Sequence, residues 1–427
     1  MAGPKSAWRY LWIALFLLSA ARFSYEVFLI YRGCCYDFAI FWNRTHDWIE
    51  GGTLYSDSPA EHGPGSGTYK YPPFVALTML PLATLLDLRE SLVLLLAVQV
   101  VCYAAFVWLA SRVLAPSEQR RFYLAALTLL ALNHGSFFET LLRLQFENPL
   151  LLGLMLALAL ALAGKDFASG FVIAVCAWIK VYPAFLMAYF VARWRVRALF
   201  GFAGGNAALL LLCLAVFGAR ENRRYFLEVL PVLGRELSTE TYGTENAGVA
   251  RQLEIILGLD PERARRGGDL IGGGFLLISA AVAAFSPRRG REALHFALFI
   301  PAILLGLPNS WTNYQLLLLL PVAVLLAHRL QSGTGPGLGD GCAALAYVLI
   351  AYHKDSYIYP FSVLARVPLL TETWAACRPV CSLLVWIAVL WALLEPDPPG
   401  PGPSASGAAG SLGFMPGPSC GTMASKH

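Results

Sequence analysis

Charge is what this 427-residue chain has least of. Asp, Glu, Lys and Arg make up only 14% of it, against roughly a quarter in ordinary soluble domains. Hydrophobic residues reach 57%, with a mean hydropathy of +0.58, which excludes a soluble globular class and points to an all-α polytopic membrane protein. A helix crosses the hydrocarbon layer in about 20 apolar residues, so the length allows on the order of ten crossings. Cysteine supplies no framework: the nine residues are scattered, only Cys34 and Cys35 are adjacent, and no CxxC pair exists. Neither a disulfide lattice nor a thiolate metal site is indicated, and the redox compartment is left open. No cluster of metal ligands is evident; no cofactor is expected, with a divalent ion left open. The net charge of +5 comes from Lys and Arg in short loops, the pattern of topology signals and not of a nucleic-acid-binding face. Internal repeats and a soluble domain are also lacking.

What is present is a series of apolar blocks. Trp8 to Ile30 is too long for a signal peptide and lacks a small-residue cleavage site, so it reads as an uncleaved first span. Lys5 and Arg9 precede it and hold the N-terminus in the cytoplasm, which puts the segment after the span on the opposite side. Arg22 and Glu26 share a face of that span and can neutralise each other. Several later blocks, such as Phe122 to Phe138, are shorter than a full crossing, and at least one should be re-entrant or broken. WIKVYP is the clearest candidate, because Pro183 interrupts an apolar run with Lys180 in its middle. Arg220 to Arg266 forms a second polar excursion. Residues 1–394 are expected to form one membrane domain, and the Pro, Gly, Ser and Ala-rich residues 395–427 a disordered tail.

The polar stretch from Tyr36 to Pro73 is the part least explained by membrane burial. Phe38, Phe41, Trp42, Trp48 and Ile49 recur at helical spacing, which predicts an amphipathic helix in the outer interface, ended by Gly51-Gly52. Asp37 sits at its start. A single placed carboxylate can act as general base on a hydroxyl; it can equally cap the helix for about 1 kcal/mol, and the two roles are compatible. YKYPPF then brings Tyr69 and Tyr71 before a proline pair that starts the next helix cleanly. These tyrosines read either as interfacial belt residues or as the lining of a sugar site.

Lys180 costs roughly 3 kcal/mol inside a bilayer, so it should face a ligand, such as a phosphate, or pair with a buried carboxylate such as Glu139 or Glu147. Arg143, Gln145, Glu147 and Asn148 form a polar cluster ahead of an apolar helix, readable as a cavity mouth or as a plain loop. Asn309, Ser310, Trp311, Asn313 and Tyr314 precede the LLLLLP helix, where Trp311 and Tyr314 fit an aromatic belt or a carbohydrate platform. Asn43-Arg44-Thr45 matches a glycosylation sequon that occurs often by chance.

In this order the motifs resemble the polyprenol-phosphate-sugar-dependent glycosyltransferases of family 87, which have GT-C architecture and include a mycobacterial phosphatidylinositol-mannoside mannosyltransferase. The residues that carry the resemblance are Tyr36-Asp37, Gly52 with Tyr55, Tyr69-Lys70-Tyr71-Pro72-Pro73, Gln145 with Asn148, and Ile179-Lys180-Val181-Tyr182-Pro183. Three departures stand out. Gln145 and Asn148 are one residue further apart than in the common form. The family's Asn-x-Ser appears as Asn246-Ala247-Gly248, and its His after Ser-Trp is absent from Ser310-Trp311-Thr312-Asn313-Tyr314.

The resemblance implies a GT-C-like helix bundle whose extracytoplasmic first loop carries interfacial helices. It further implies inverting transfer of a hexose (mannose-like) or pentose from a polyprenyl-phosphate sugar to a lipid-linked or glycan hydroxyl. In that scheme Asp37 is the base and Lys180 holds the donor phosphate. Tyr36, Tyr55, Tyr69, Tyr71, Gln145, Asn148, Asn246, Trp311 and Asn313 contact substrate. The expected partners are the bilayer, the lipid-linked donor and the acceptor, with oligomeric state open; the expected location is a bacterial inner membrane. The rival is a lipid or solute transporter, which would call for symmetric halves with paired broken helices.

Overall fold

The computed structural model describes residues 4–33, 36–55, 69–233, 248–286, 290–333, 335–351 and 368–396, and all regular structure among them is helical. In chain order the helices are α1 (Pro4–Gly33), α2 (Tyr36–Ile49), α3 (Pro73–Leu85), α4 (Leu88–Val113), α5 (Arg120–Leu132) and α6 (Gly135–Arg143). Next come α7 (Glu147–Leu162), α8 (Asp166–Ile179), α9 (Met187–Ala192), α10 (Val196–Arg224), the short α11 (Leu230–Val232) and α12 (Val249–Leu257). The last are α13 (Pro261–Phe285), α14 (Glu292–Gly306), α15 (Leu319–Ser332), α16 (Leu338–Ala351) and α17 (Pro368–Leu394). Among the described residues, five segments are long and apolar enough to cross a membrane: Tyr10–Tyr31, Leu88–Val113, Val196–Val229, Pro261–Phe285 and Thr312–Ser332. The chain is an all-α polytopic membrane protein.

Local chemistry sets the boundaries. Pro72 and Pro73 begin α3 where backbone amides would have no acceptor. Asp87 and Glu90 form a reciprocal capping box that starts α4. The apolar block Phe122 to Phe138 is two helices and not one, because the chain turns at Asn133 and is extended at His134. The Asn133 amide donates to Leu129 O at 2.9 Å and to Ser19 Oγ at 2.8 Å, so its side chain competes with helix continuation. WIKVYP breaks as expected: α8 stops at Ile179, Lys180 is extended, and a tight turn of 3-10 helix spans Tyr182–Leu186. The Arg220 to Arg266 stretch is mostly helical where it is described. α10 runs on through Arg224 into a π-helical turn at Tyr225–Val229, and α12 and the start of α13 follow. Gly218 interrupts that path with φ of +73° and ψ of 178°, a region open essentially to glycine alone that costs other residues about 1–3 kcal/mol.

Packing holds the bundle around the broken helix. α8 and α10 touch through backbone: a Cβ on Gly170 would lie 1.9 Å from Ala198 O, and one on Gly201 would lie 1.9 Å from Phe167 O. Buried polar side chains are tied between helices, as in Tyr123 Oη to Ala323 O at 2.9 Å and Trp386 Nε1 to Ser279 Oγ at 3.0 Å. Such bonds contribute about 0.6–2 kcal/mol each in a bilayer. Arg291, itself buried, donates to the carbonyls of Ala392, Leu393 and Glu395, closing the C-terminal end of α17. Arg22 and Glu26 pair as their spacing predicts. The sequon residue Asn43 is buried within α2, and Thr45 Oγ1 is spent on Phe41 O at 2.8 Å, so the helix withholds both from a modifying enzyme.

Candidate active site

A cavity of about 520 Å³ opens where α2, the YKYPP string, the end of α6, the break after α8 and the residues before α15 converge. Asp37 lies in the first turn of α2 and lines it. Lys70 and Tyr71, Arg143 and Gln145, Lys180 and Tyr182, and Trp311, Asn313 and Tyr314 come from four other parts of the chain. Its charged lining is therefore Asp37 against Lys70, Arg143 and Lys180, an environment suited to an anionic ligand beside one carboxylate.

Each charge has a fixed setting. Lys180 Nζ is buried and bonds Glu147 Oε1, with Glu147 fully buried behind it. The ammonium also lies 4.2 Å from the Tyr314 ring centroid and 5.8 Å from that of Tyr71. Lys180 thus pairs with Glu147 and still borders the cavity. Arg143 Nε donates to Glu139 Oε1 at 2.9 Å, and its guanidinium sits 5.7 Å from the Trp311 ring centroid. On the other side, Gln145 Nε2 donates to Asp37 Oδ2 at 2.7 Å, while Tyr71 Oη donates to Gln145 Oε1 at 2.6 Å. Burial pushes the Tyr71 phenol well above its ordinary value, so it stays protonated and able to donate. Among the described residues, no three His, Cys, Asp or Glu side chains gather as a metal-holding group.

A family model described as glycosyltransferase family 87 matches residues 69–308, more than half of the chain. The chain belongs to glycosyltransferase family 87. No curated protein matches it. Membership makes this integral membrane protein a membrane glycosyltransferase. The matched stretch of the family 87 model takes in Lys70, Tyr71, Arg143, Gln145 and Lys180. Asp37 precedes the match, and Trp311 and Asn313 follow it.

Not every expected site residue of this family 87 protein reaches the cavity. Tyr55 and Tyr69 are buried behind it, and their hydroxyls donate to Tyr71 O at 2.8 Å and Pro72 O at 3.1 Å. They shape the YKYPP backbone and do not line the cavity, because a phenol at each position has a carbonyl closer to hand. Asn148 is fully buried in the first turn of α7 and is also absent from the lining. Glu147 and Asn148 are therefore helix and not loop. For Tyr36 the backbone alone is described, as the first residue of α2, and Asn246 lies outside the described residues.

Sequence reasoning passed over Lys70 and Tyr182 as lining groups, although both stand inside strings it had singled out. It read Tyr314 as belt or platform. Tyr314 sits in the 3-10 turn at Thr312–Leu318, with its ring against the Lys180 ammonium.

Proposed function

We propose that this membrane glycosyltransferase takes its sugar from a polyprenyl-phosphate donor and passes it, with inversion, to a hydroxyl of a lipid-linked or glycan acceptor. The observation that carries this reading is that Asp37, in α2, and Lys180, in the break after α8, border one cavity. Asp37 accepts the acceptor's proton as that oxygen attacks the anomeric carbon. The bond from the anomeric carbon to the phosphate oxygen breaks, and polyprenyl phosphate departs with the electron pair. A single displacement needs one base and no carboxylate nucleophile. Lys180, supported by Arg143 and Lys70, offsets the charge of the departing phosphate. Trp311 and Asn313 give the sugar a stacking face and an amide. Lys5 and Arg9, at the start of α1, support an Asp37 side outside the cytoplasm, where a lipid-borne donor keeps its tail in the bilayer.

The test is transfer of radiolabel from polyprenyl-phosphate mannose, glucose or pentose to a lipid extract by purified protein in vesicles. Wild type should label lipid or glycan with one donor, and Asp37→Asn should lower the rate by at least 100-fold. Equal labelling by both proteins would remove Asp37 as base. Labelling by wild type from a nucleotide sugar only would remove the lipid donor.

A further inference from the structure

Gln145 makes an unusual set of bonds for a residue expected to grip sugar. Its amide N–H donates to Thr140 O at 3.0 Å, its carbonyl accepts from Gln99 Nε2 at 2.6 Å, its Nε2 donates to Asp37 Oδ2, and its Oε1 accepts from Tyr71 Oη. Every polar group is thus engaged by protein. The orientation of the amide follows from chemistry: a carboxylate accepts only, so the amide nitrogen must face Asp37 and its oxygen must face the phenol. The turn that delivers Gln145 is strained. Leu144, fully buried, holds φ of 51° and ψ of 46°, a left-handed conformation that a leucine adopts at a cost and that occurs where surrounding structure enforces it. Asp37 Oδ1, in contrast, has no bond to any described residue.

From this geometry we infer that Gln145 is a positioning residue for Asp37: with Tyr71 behind it, it pins Oδ2 and leaves Oδ1 directed to the acceptor hydroxyl. The inference rests on the proposed role of Asp37 as base, but the anchoring itself is independent of turnover. Loss of Nε2 removes the bond to Oδ2 and frees the carboxylate to turn. Lys70, Arg143 and Lys180, with the phenols of Tyr71, Tyr182, Tyr225 and Tyr314, share the cavity with Asp37. Of these groups, a substitution at Gln145 touches Tyr71, whose phenol loses its acceptor.

The experiment follows the rate of carbodiimide labelling of Asp37 at one fixed pH by mass spectrometry, in parallel with the transfer assay. Gln145→Leu should speed that labelling about tenfold, the worth of one hydrogen bond to a charged group. Tyr71→Phe should speed it by less, and should add nothing on top of Gln145→Leu. In transfer, Gln145→Leu should lower kcat 10- to 100-fold and change the donor KM less than threefold. An unchanged labelling rate overturns the inference, as does a raised KM with kcat intact, which would mean that Gln145 holds sugar. If Gln145→Leu does not fold, Tyr71→Phe decides, and an unchanged labelling rate there is equally fatal. Faster labelling in a protein that transfers no sugar would support the anchoring and sink the proposed function instead.

Discussion

Replacing Lys180 by Met should be far more damaging to the fold than replacing its partner Glu147 by Gln. Both side chains are almost wholly buried, at 5% and 0% exposure. Removing the lysine strands a carboxylate with no other cation bonded to it among the described residues, and breaking a buried pair from one side costs about 3–5 kcal/mol. Removing the carboxylate leaves an ammonium that still faces the cavity and keeps the Tyr314 ring at 4.2 Å, a contact worth about 0.5–2 kcal/mol. Glu147→Gln should therefore cost about 1–3 kcal/mol, and its amide can still accept from Nζ. The double variant Lys180→Met with Glu147→Gln buries no charge. It should recover at least 2 kcal/mol relative to the sum of the single effects, the signature of direct coupling. Reversible unfolding in mixed detergent–SDS micelles measures all four proteins, and the transfer assay runs alongside. Transfer should stay lost in the double variant, since restoring the fold does not restore the positive charge at the leaving group. Simple additivity would refute the buried pair as the source of the stability. Recovered transfer would refute Lys180 as a contributor to the reaction.

Two further outcomes probe the frame around the site. Gly218→Ala should destabilise the protein by about 1–3 kcal/mol, because only the backbone conformation and no contact forbids the methyl group; the same unfolding assay checks it. Arg291→Ala removes the buried donor shared by three carbonyls at the end of α17. It should cost about 1–3 kcal/mol and speed hydrogen exchange in residues 388–394, with exchange in α2 unchanged.

The membrane character and the break at WIKVYP were legible because each follows from a local rule: apolar length for a span, proline and lysine for an interruption. The helical spacing of Phe38, Phe41 and Trp48 likewise announced α2. Harder to read was which polar side chains reach the cavity. Tyr69 and Tyr71 are two residues apart in one string, yet Tyr69 turns back to Pro72 O while Tyr71 faces Gln145. That division depends on where Gln145 sits, and its place depends on a left-handed leucine that no propensity would foresee. The hidden break at Asn133 has a similar origin, since Ser19 accepts its bond from a helix more than a hundred residues earlier. Tertiary partners decide such positions, and local sequence does not encode them.

The glycines that bring α8 and α10 into backbone contact also divide the cavity mechanically. Sliding or rolling one helix on the other would force carbonyls into carbons, so the wall that carries Lys180 is mounted on a plank of two fused rods. The wall that carries Tyr225, Leu230 and Leu233 is mounted beyond Gly218, on the far side of a joint in the same chain, and is tied down by Glu221, which accepts from Thr53 Oγ1 at 2.9 Å and from Leu54 N at 3.2 Å. One jaw of the cavity is rigid by construction; the other holds its place by a latch on the loop that follows α2.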